Sequence, residues 1–423
     1  MARDVNKCDT LVIGCGPAGM MAAIASASAG RSVLVIEHLD KPAAKLLASG
    51  GGRCNLTNTL PNDDFMARFG RNGRFTAPAL STMGSVPFRK FLASLGVETH
   101  SPDGFRVFPV SGKSRTVADA LLAHMGRLGV RIVTSCRLTG VDTADTRAIG
   151  IKTSIGAFES NRVVLASGGN GYSKLGGSAS GYRIARELGH RIIEPLPALV
   201  PLLSKDEWVK GLAGVSLSGV GVSIGTARKR SVVTRGDILF THRGVSGPAI
   251  LDISGLVSEE LRRDGSVQIQ IDVAPEKERP WLNEFSRWQE EEGRTRIVRL
   301  LGRNIPLSLA EQLIKLAGLS PDSIAASFPA QSRRSLAGLL ESLPLTIVGT
   351  EGMEQAMVTR GGVSLKDVNP ATLESKVLPG LFLAGELLDL DGPTGGFNLQ
   401  WAFASGWLAG MAEQTTDRMR GDK

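Results

Sequence analysis

Residues 10–37, TLVIGCGPAGMMAAIASASAGRSVLVIE, read as strand, glycine turn, helix, strand. Residues 11–13 form an apolar, β-branched run. The turn carries Gly14, Gly16 and Gly19, and a small-residue helix follows from Ala18 to about Ala29, where Gly30 stops it. Residues 33–36 form the second strand, with Glu37 at its carboxyl end. Each position has a mechanical reason. Gly14 allows the tight turn, Gly16 leaves room for a pyrophosphate against the backbone, and Gly19 lets helix and strand pack closely. The helix N-terminus offers N–H groups and positive dipole to phosphates. Glu37 is placed to accept hydrogen bonds from an adenosine ribose. Strand, helix and acidic residue all agree with the glycines, so the unit binds a dinucleotide, and its position early in a long chain favours FAD.

The rest of the composition limits the alternatives. A chain of 423 residues is too long for one core and suggests two or three domains. Its mean hydropathy is near zero, and no stretch of eighteen apolar residues runs without a charge, so no membrane span is expected. The polar residues 1–10 lead straight into a strand, leaving no room for a signal peptide, which makes a cytoplasmic location the expectation. Cys8, Cys15, Cys54 and Cys136 have neither disulfide-reductase nor metal-ligand spacing, so no metal is expected. Lys plus Arg outnumber Asp plus Glu by 49 to 41, an excess that favours an anionic partner such as RNA.

Further along, residues 41–59, KPAAKLLASGGGRCNLTNT, form a loop around Gly50, Gly51 and Gly52 whose backbone approaches something closely. A flavin suits it better than open solvent. Ser114 or Thr116 caps a helix over 117–127, and 129–141 read as paired short strands of the nucleotide sheet. Residues 162–171, RVVLASGGNG, are a strand ending in small residues, where a parallel sheet presents its carboxyl end to a cofactor. At Glu194-Pro195 the texture changes. Residues 211–271 read as short β-rich runs forming an antiparallel insert, and 280–341 as amphipathic, charged helices. Apolar β-character resumes at 345–348 and 377–384. Residues 380–410 then read as strand, Gly-Glu turn, glycine-rich loop and a small-residue helix, with Gly395, Gly396 and Asn398 near its start. Such a start suits the flavin edge that becomes negative on reduction.

With these blocks assembled, GCGPAG at 14–19, LLASGGGRCNLTNT at 46–59, FRVFPVSGKSRTV at 105–117, LFTHRGVSGPAIL at 239–251, TRGGVSL at 359–365 and FLAGELLDLDGPTGGFNLQWAFASG at 382–406, the chain resembles the BaiN/RdsA family of FAD-dependent oxidoreductases, also called HI0933-like flavoproteins. The resemblance implies an α/β fold. A Rossmann-like FAD domain of the two-dinucleotide-binding type would be formed by both chain ends, 1–193 and 348–423, and interrupted by a β-barrel-like domain at 194–275 and a helical subdomain at 276–347. It also implies FAD contacts from Gly14, Gly16, Pro17, Ala18, Gly19, Glu37, His38, Lys45, Leu46, Gly51, Arg53, Cys54 and Asn55. Further contacts are implied for Leu138, Ala166, Ser167, Gly168, Gly169, Gly385, Glu386, Asp391, Gly395, Gly396, Phe397, Asn398 and Leu399. Ala44 precedes Lys45 where the family has Gly-Arg-Lys, which leaves Lys45 as the matching cation.

Members of that family reduce conjugated steroid ketones, oxidise aminoacetone, or convert a uridine of ribosomal RNA to dihydrouridine. Steroid enone and uracil share one reaction, hydride addition to a C=C conjugated to C=O, and this is the leading expectation. Amine oxidation is the alternative, and a flavin-binding RNA or protein interaction module without turnover is the second. Cys54 is the candidate proton donor; His242 and Arg243, in the FTHRGVSGP turn, are the candidate donor and fixed cation for substrate. Residues 168–177 repeat the glycine pattern but lack the acidic ribose ligand. NAD(P)H, if it is the electron donor, would then dock transiently at the flavin. Substrate is left open between a small molecule and RNA, and oligomeric state is left open.

Overall fold

Residues 6–225, 233–273 and 280–413 are described by a computed structural model, and the chain divides into two compact units, Met1–Leu196 with Val358–Lys423, and Pro197–Met357. In the first unit five parallel strands lie in the order Leu381–Leu383, Val163–Leu165, Thr10–Ile13, Val33–Ile36, Arg131–Val133. Every residue of the first four is buried, which is why they read as unbroken apolar runs rather than alternating ones. Both chain ends therefore build one sheet: the strand at 381–383 pairs with 163–165, and 163–165 with 10–13.

The helix Pro17–Ser28 has Gly16 as N-cap and Pro17 in its first turn, where a missing N–H costs nothing. It packs along the last helix, Phe397–Met411. A side chain on Gly406 would collide with the carbonyl of Ala18, and one on Gly410 with that of Ala22. Two arginines hold the carboxyl end of that last helix. Arg31 Nη1 donates to Gly410 O at 2.9 Å, and the buried Arg162 donates to Ala409 O while lying 3.7 Å from the Phe382 ring centroid. Burial pulls the Arg162 guanidinium down to about 10, with Arg31 adding to the shift and Glu374 opposing it. It remains a cation at neutral pH, favourable at a helix C-terminus.

In the second unit, six strands close a barrel in the order Leu202–Ser204, Gly244–Ser246, Val233–Phe240, Ser216–Gly225, Val267–Asp272, Leu343–Thr350. Val267, Ile269 and Ile271 alternate with exposed glutamines at 268 and 270, and are buried. Helices Trp281–Glu291, Ile297–Leu301, Leu307–Leu316 and Ala330–Glu341 join the same core, through Trp281, Phe285, Trp288, Leu309, Leu313 and Leu336.

Five expectations need correction. The strand Leu343–Thr350 closes the barrel against Val267–Asp272 and Leu202–Ser204, so β-character at 345–348 does not mark the return of the FAD domain. The return comes at Val358, not 348. Glu194-Pro195 falls inside the strand Ile192–Ala198, which pairs with Val358–Val363, so the first unit continues to Leu196. The stretch 211–271 is not wholly β: Pro248–Asp264 is a helix, begun by Pro248 and ended by Gly265 in the left-handed region at φ +74°. Its Ile250, Ile253 and Val257 suggest a strand by type, but their spacing of three and four is helical. Only Arg131–Val133 of 129–141 joins the nucleotide sheet; Leu138–Ala144 starts a separate antiparallel meander with Arg147–Thr153 and Gly156–Glu159. Neither Ser114 nor Thr116 caps its helix, which begins at Ser114; the Ser114 hydroxyl donates to Leu47 O at 2.6 Å instead. The expected division at 275/276 lies outside the described residues.

Candidate cofactor site

Because the five strands are parallel, their carboxyl ends share one edge, and five segments meet there: the 14–19 turn, Glu37-His38, Ser135-Cys136, residues 166–169 and Gly385-Glu386. This is the edge at which open α/β sheets bind ligands. Gly14 sits at φ +96°, and a Cβ there would lie 2.5 Å from Ala166 O, so this glycine lets two loops touch. Gly19 is required by the carbonyl of Gly14. Gly16 differs: nothing lies within 4 Å of the place its Cβ would occupy, and the same is true of Gly51 and Gly168. These three glycines therefore face open space. No packing requires glycine at these positions, and the open space at Gly16, at the N-terminus of Pro17–Ser28, fits a dinucleotide.

Glu37 is fixed rather than free. Its Oε2 accepts from Cys15 N at 2.7 Å and its Oε1 from Leu39 N at 2.9 Å, with His38 Nδ1 2.9 Å from Oε1. Burial opposes its charge, but the hydrogen bonds from His38, Leu39 and Cys15 outweigh it and hold the carboxyl below its ordinary range. A carboxylate has about four lone-pair positions, so these three contacts leave room on Oε2 for one ribose hydroxyl. Ser135 N and Cys136 N donate to Leu39 O and Glu37 O at 2.8 and 2.9 Å, which brings the chain toward Leu138 past the same end.

The stretch that follows the glycine loop, residues 55–58, is joined directly to the start of the last helix. Asn58 Nδ2 donates to Gly395 O at 3.0 Å, and the Asn55 amide, in its satisfied orientation, accepts from Gly396 N at 3.2 Å. Their glycines are needed for this joint, since a Cβ on Gly396 would lie 2.5 Å from Thr57 O and one on Gly395 3.0 Å from the Phe105 ring. Asn398 accepts from Gly392 N and donates to Gly392 O, each at 2.8 Å, which closes the loop before the helix. Leu399 is partly exposed. The side chains of Leu46 and Phe397 are buried, Phe397 among Phe65, Phe69 and Phe105, so they support the site rather than line it. Arg53, exposed, lies 5.5 Å from the Phe108 ring centroid.

A second cluster brings the expected Lys45, Gly169 and Glu386 together with Thr359 and Tyr182, which the sequence did not single out. Lys45 Nζ lies 3.0 Å from Glu386 Oε2, both side chains half-buried. Thr359 N donates to Glu386 Oε1 at 2.9 Å, and the Thr359 hydroxyl accepts from Asn170 N and Gly171 N at 2.9 and 3.2 Å. The buried Tyr182 donates to Glu386 O at 3.4 Å; burial first, then the Glu386 charge, push its phenol up. Gly169 has no room for a Cβ between Glu386 and Thr359. Asp391 pairs with Arg360 at 3.0 Å. Thr359 and Arg360 belong to the TRGGVSL block, whose motif was visible although the role of its threonine was not.

One placement changes the chemistry expected. Cys54 has no exposed surface, and its backbone is left-handed at φ +63°. Burial pushes its thiol up to about 12, against a smaller lowering by Ser49. A sulfur so enclosed does not meet a substrate, so Cys54 is a packing residue and not the proton donor. Cys54→Ala is expected to leave both flavin half-reactions at wild-type rates in stopped-flow traces; a slowed oxidative half-reaction would restore the thiol to the mechanism. In the second unit, His242 and Arg243 are exposed at the tip of a tight turn, where Thr241 N donates to Gly244 O at 2.8 Å. Gly244 and Gly247 are needed by backbone of the barrel itself, at Leu202 and at Asp237-Ile238, and not by the approach of a ligand. Arg243 Nη1 lies 3.0 Å from Glu351 Oε2.

The parallel sheet, the glycine turn after its first strand and the carboxylate at the end of the second are the features of a Rossmann-type FAD domain. The model of the HI0933-like protein Rossmann domain matches residues 8–412, and the chain belongs to that family. It is 33% identical over 405 residues to the 3-dehydro-bile acid delta(4,6)-reductase of Clostridium scindens, covering 95% of this chain and 98% of that one. It is 30% identical over 406 residues to the ribosomal RNA dihydrouridine synthase of Escherichia coli, covering 95% and 97%. Among solved structures, the 3-ketosteroid delta1-dehydrogenase of Sterolibacterium denitrificans shares the fold with a TM-score of 0.54 at 13% identity, over 96% of this chain and 99% of that one. Among the described residues no helix is long and apolar enough to cross a membrane.

Proposed function

We propose that this chain is an FAD-dependent reductase that saturates a C=C conjugated to C=O, with NAD(P)H as the electron donor. The observation that carries the reading is the open space at Gly16, Gly51 and Gly168 together with the fixed Glu37 carboxylate, in a chain two of whose full-length relatives are named for that one reaction type. Gly16 and the N-terminus of Pro17–Ser28 would hold the pyrophosphate, and Glu37 the adenosine ribose. Lys45 and Glu386 would hold the flavin end of the cofactor, and the N-terminus of Phe397–Met411 would favour negative charge there. Bound FAD would supply hydride to the β carbon. A proton must then reach the α carbon, while the carbonyl oxygen, enolate-like in the transition state, gains from a fixed cation. His242 is the proposed donor of that proton and Arg243 the proposed cation.

Arg243 and Glu351 form an ion pair whose arginine is 65% exposed, and such pairs contribute only about 0–1 kcal/mol. His242→Ala and Arg243→Ala are thus expected to keep FAD and thermal stability while turnover falls by a factor of order 10² to 10³. Wild-type turnover in both variants would remove the turn from the site. The electron donor is tested separately: NADPH or NADH added without oxygen should bleach the yellow protein. A protein that stays oxidised with both would rule out this linkage.

A further inference from the structure

The charge of the chain is unevenly placed. The inserted unit has 19 Lys and Arg against 19 Asp and Glu, whereas the first unit has 30 against 22, so the whole net charge of +8 belongs to the first unit. Within it, residues 62–76, NDDFMARFGRNGRFT, form the helix Asn62–Ala67 and the 3₁₀ helix Gly70–Thr76. One side of this segment is fixed. Phe65 and Phe69 are buried with ring centroids 4.7 and 6.1 Å from that of Phe397, and Asn72 Nδ2 donates to Asp389 O at 3.2 Å. Gly73 packs against the Met66 carbonyl with no room for a side chain.

The other side presents Arg68, Arg71 and Arg74, all exposed. Residues three apart eclipse one another on a 3₁₀ helix, so Arg71 and Arg74 point the same way, about 6 Å apart along the axis. Arg68 stands one step earlier, at the cap of the preceding helix. Some exposed arginines of this protein, such as Arg106, Arg183, Arg296 and Arg303, pair with carboxylates, while others, such as Arg115 and Arg186, stand singly. Among the described residues, none of Arg68, Arg71 and Arg74 pairs with a carboxylate. The nearest acids in sequence, Asp63 and Asp64, lie in the first turn of the helix, where they complement its dipole. A rigid row of like charges repels itself unless an anion neutralises it, and guanidinium matches phosphate in a two-pronged fashion.

We propose that Arg68, Arg71 and Arg74 are a docking face for the phosphate backbone of single-stranded RNA. The choice of RNA over another polyanion rests on the reduction proposed above, for which a uracil ring is one of two acceptors. The row is anchored through Phe65 and Phe69 to Phe397, the first residue of the helix whose start is bonded to residues 55–58, so a strand held there lies on the unit proposed to carry the flavin.

The test is fluorescence anisotropy of a labelled single-stranded oligouridine RNA with the FAD-loaded enzyme, over a series of salt concentrations. Three phosphate contacts on a single strand contribute about 0.7 each to the slope of log K against log salt. The variant Arg68→Ala/Arg71→Ala/Arg74→Ala should therefore be shallower by about 2. A control that removes equal charge from the inserted unit, Lys205→Ala/Lys210→Ala/Lys315→Ala, should keep the wild-type slope. The flavin spectrum checks that each variant is folded. Equal slopes in wild type and the arginine variant, or equal losses in both variants, would overturn the proposal. So would polyglutamate binding as tightly as RNA, which would make the row a face for acidic protein. Binding is read without turnover, so loss of the row and loss of the proposed reduction are separate results.

Discussion

Gly16→Val is expected to yield a stable, folded and colourless protein. This glycine differs from its neighbours in having no packing duty. Nothing lies within 4 Å of a Cβ built on Gly16, and its backbone, at φ −87° and ψ −172°, is one that valine adopts readily. No packing is lost, and valine's poorer fit at this helix N-cap should shift unfolding by no more than about 1 kcal/mol. The added methyl groups occupy the space that the pyrophosphate needs against the backbone. Gly19→Val and Gly406→Val make the contrast, because their side chains meet the carbonyls of Gly14 and Ala18; these variants should not fold. The ratio of FAD released by denaturation to protein, beside the thermal midpoint, reads both effects. Full FAD in a stable Gly16→Val protein would place the dinucleotide elsewhere.

The second large effect is truncation after Leu196. The fragment loses the strand Leu381–Leu383 and the last helix, and with them the buried side chains Leu381, Phe382, Leu383, Phe397, Trp401, Phe403 and Leu408. At about 1.5–3 kcal/mol each, their burial totals on the order of 10–20 kcal/mol, as much as the whole stability of an ordinary domain, about 5–15 kcal/mol. The helix Pro17–Ser28 would also expose Met21 and Ala22, which are fully buried in the intact chain. The expected product is an insoluble fragment without FAD, whereas co-expression with 358–423 should recover soluble, yellow material. A fragment 1–196 that is soluble and holds FAD would show that the chain ends do not share a core.

The nucleotide half of the fold was legible because its signals are local. Gly14, Gly16, Gly19 and Glu37 lie within one strand-turn-helix-strand unit, where backbone clearance sets Gly14 and Gly19, Gly16 fronts open space, and neighbouring N–H groups hold Glu37. What failed was decided by distant partners. The strand Leu343–Thr350 looks like any apolar run until Val267–Asp272 claims it. Pro248–Asp264 carries β-branched residues on a helical period. Cys54 sits in a polar, glycine-rich loop, and only its enclosure shows that it is not reactive. Thr359 gains its role from Glu386 and Asn170, 27 and 189 residues away, a separation that no motif encodes.

The central claim is tested most directly by the oxidative half-reaction. The enzyme is reduced with dithionite under anaerobic conditions, and a conjugated acceptor is added: a 3-oxo-4-ene steroid in one arm and unmodified ribosomal RNA in the other. The account predicts that flavin absorbance returns with one of them and that the acceptor gains two hydrogens by mass. A flavin that stays reduced with every conjugated acceptor, yet turns over with an amine and oxygen to give hydrogen peroxide, would contradict it.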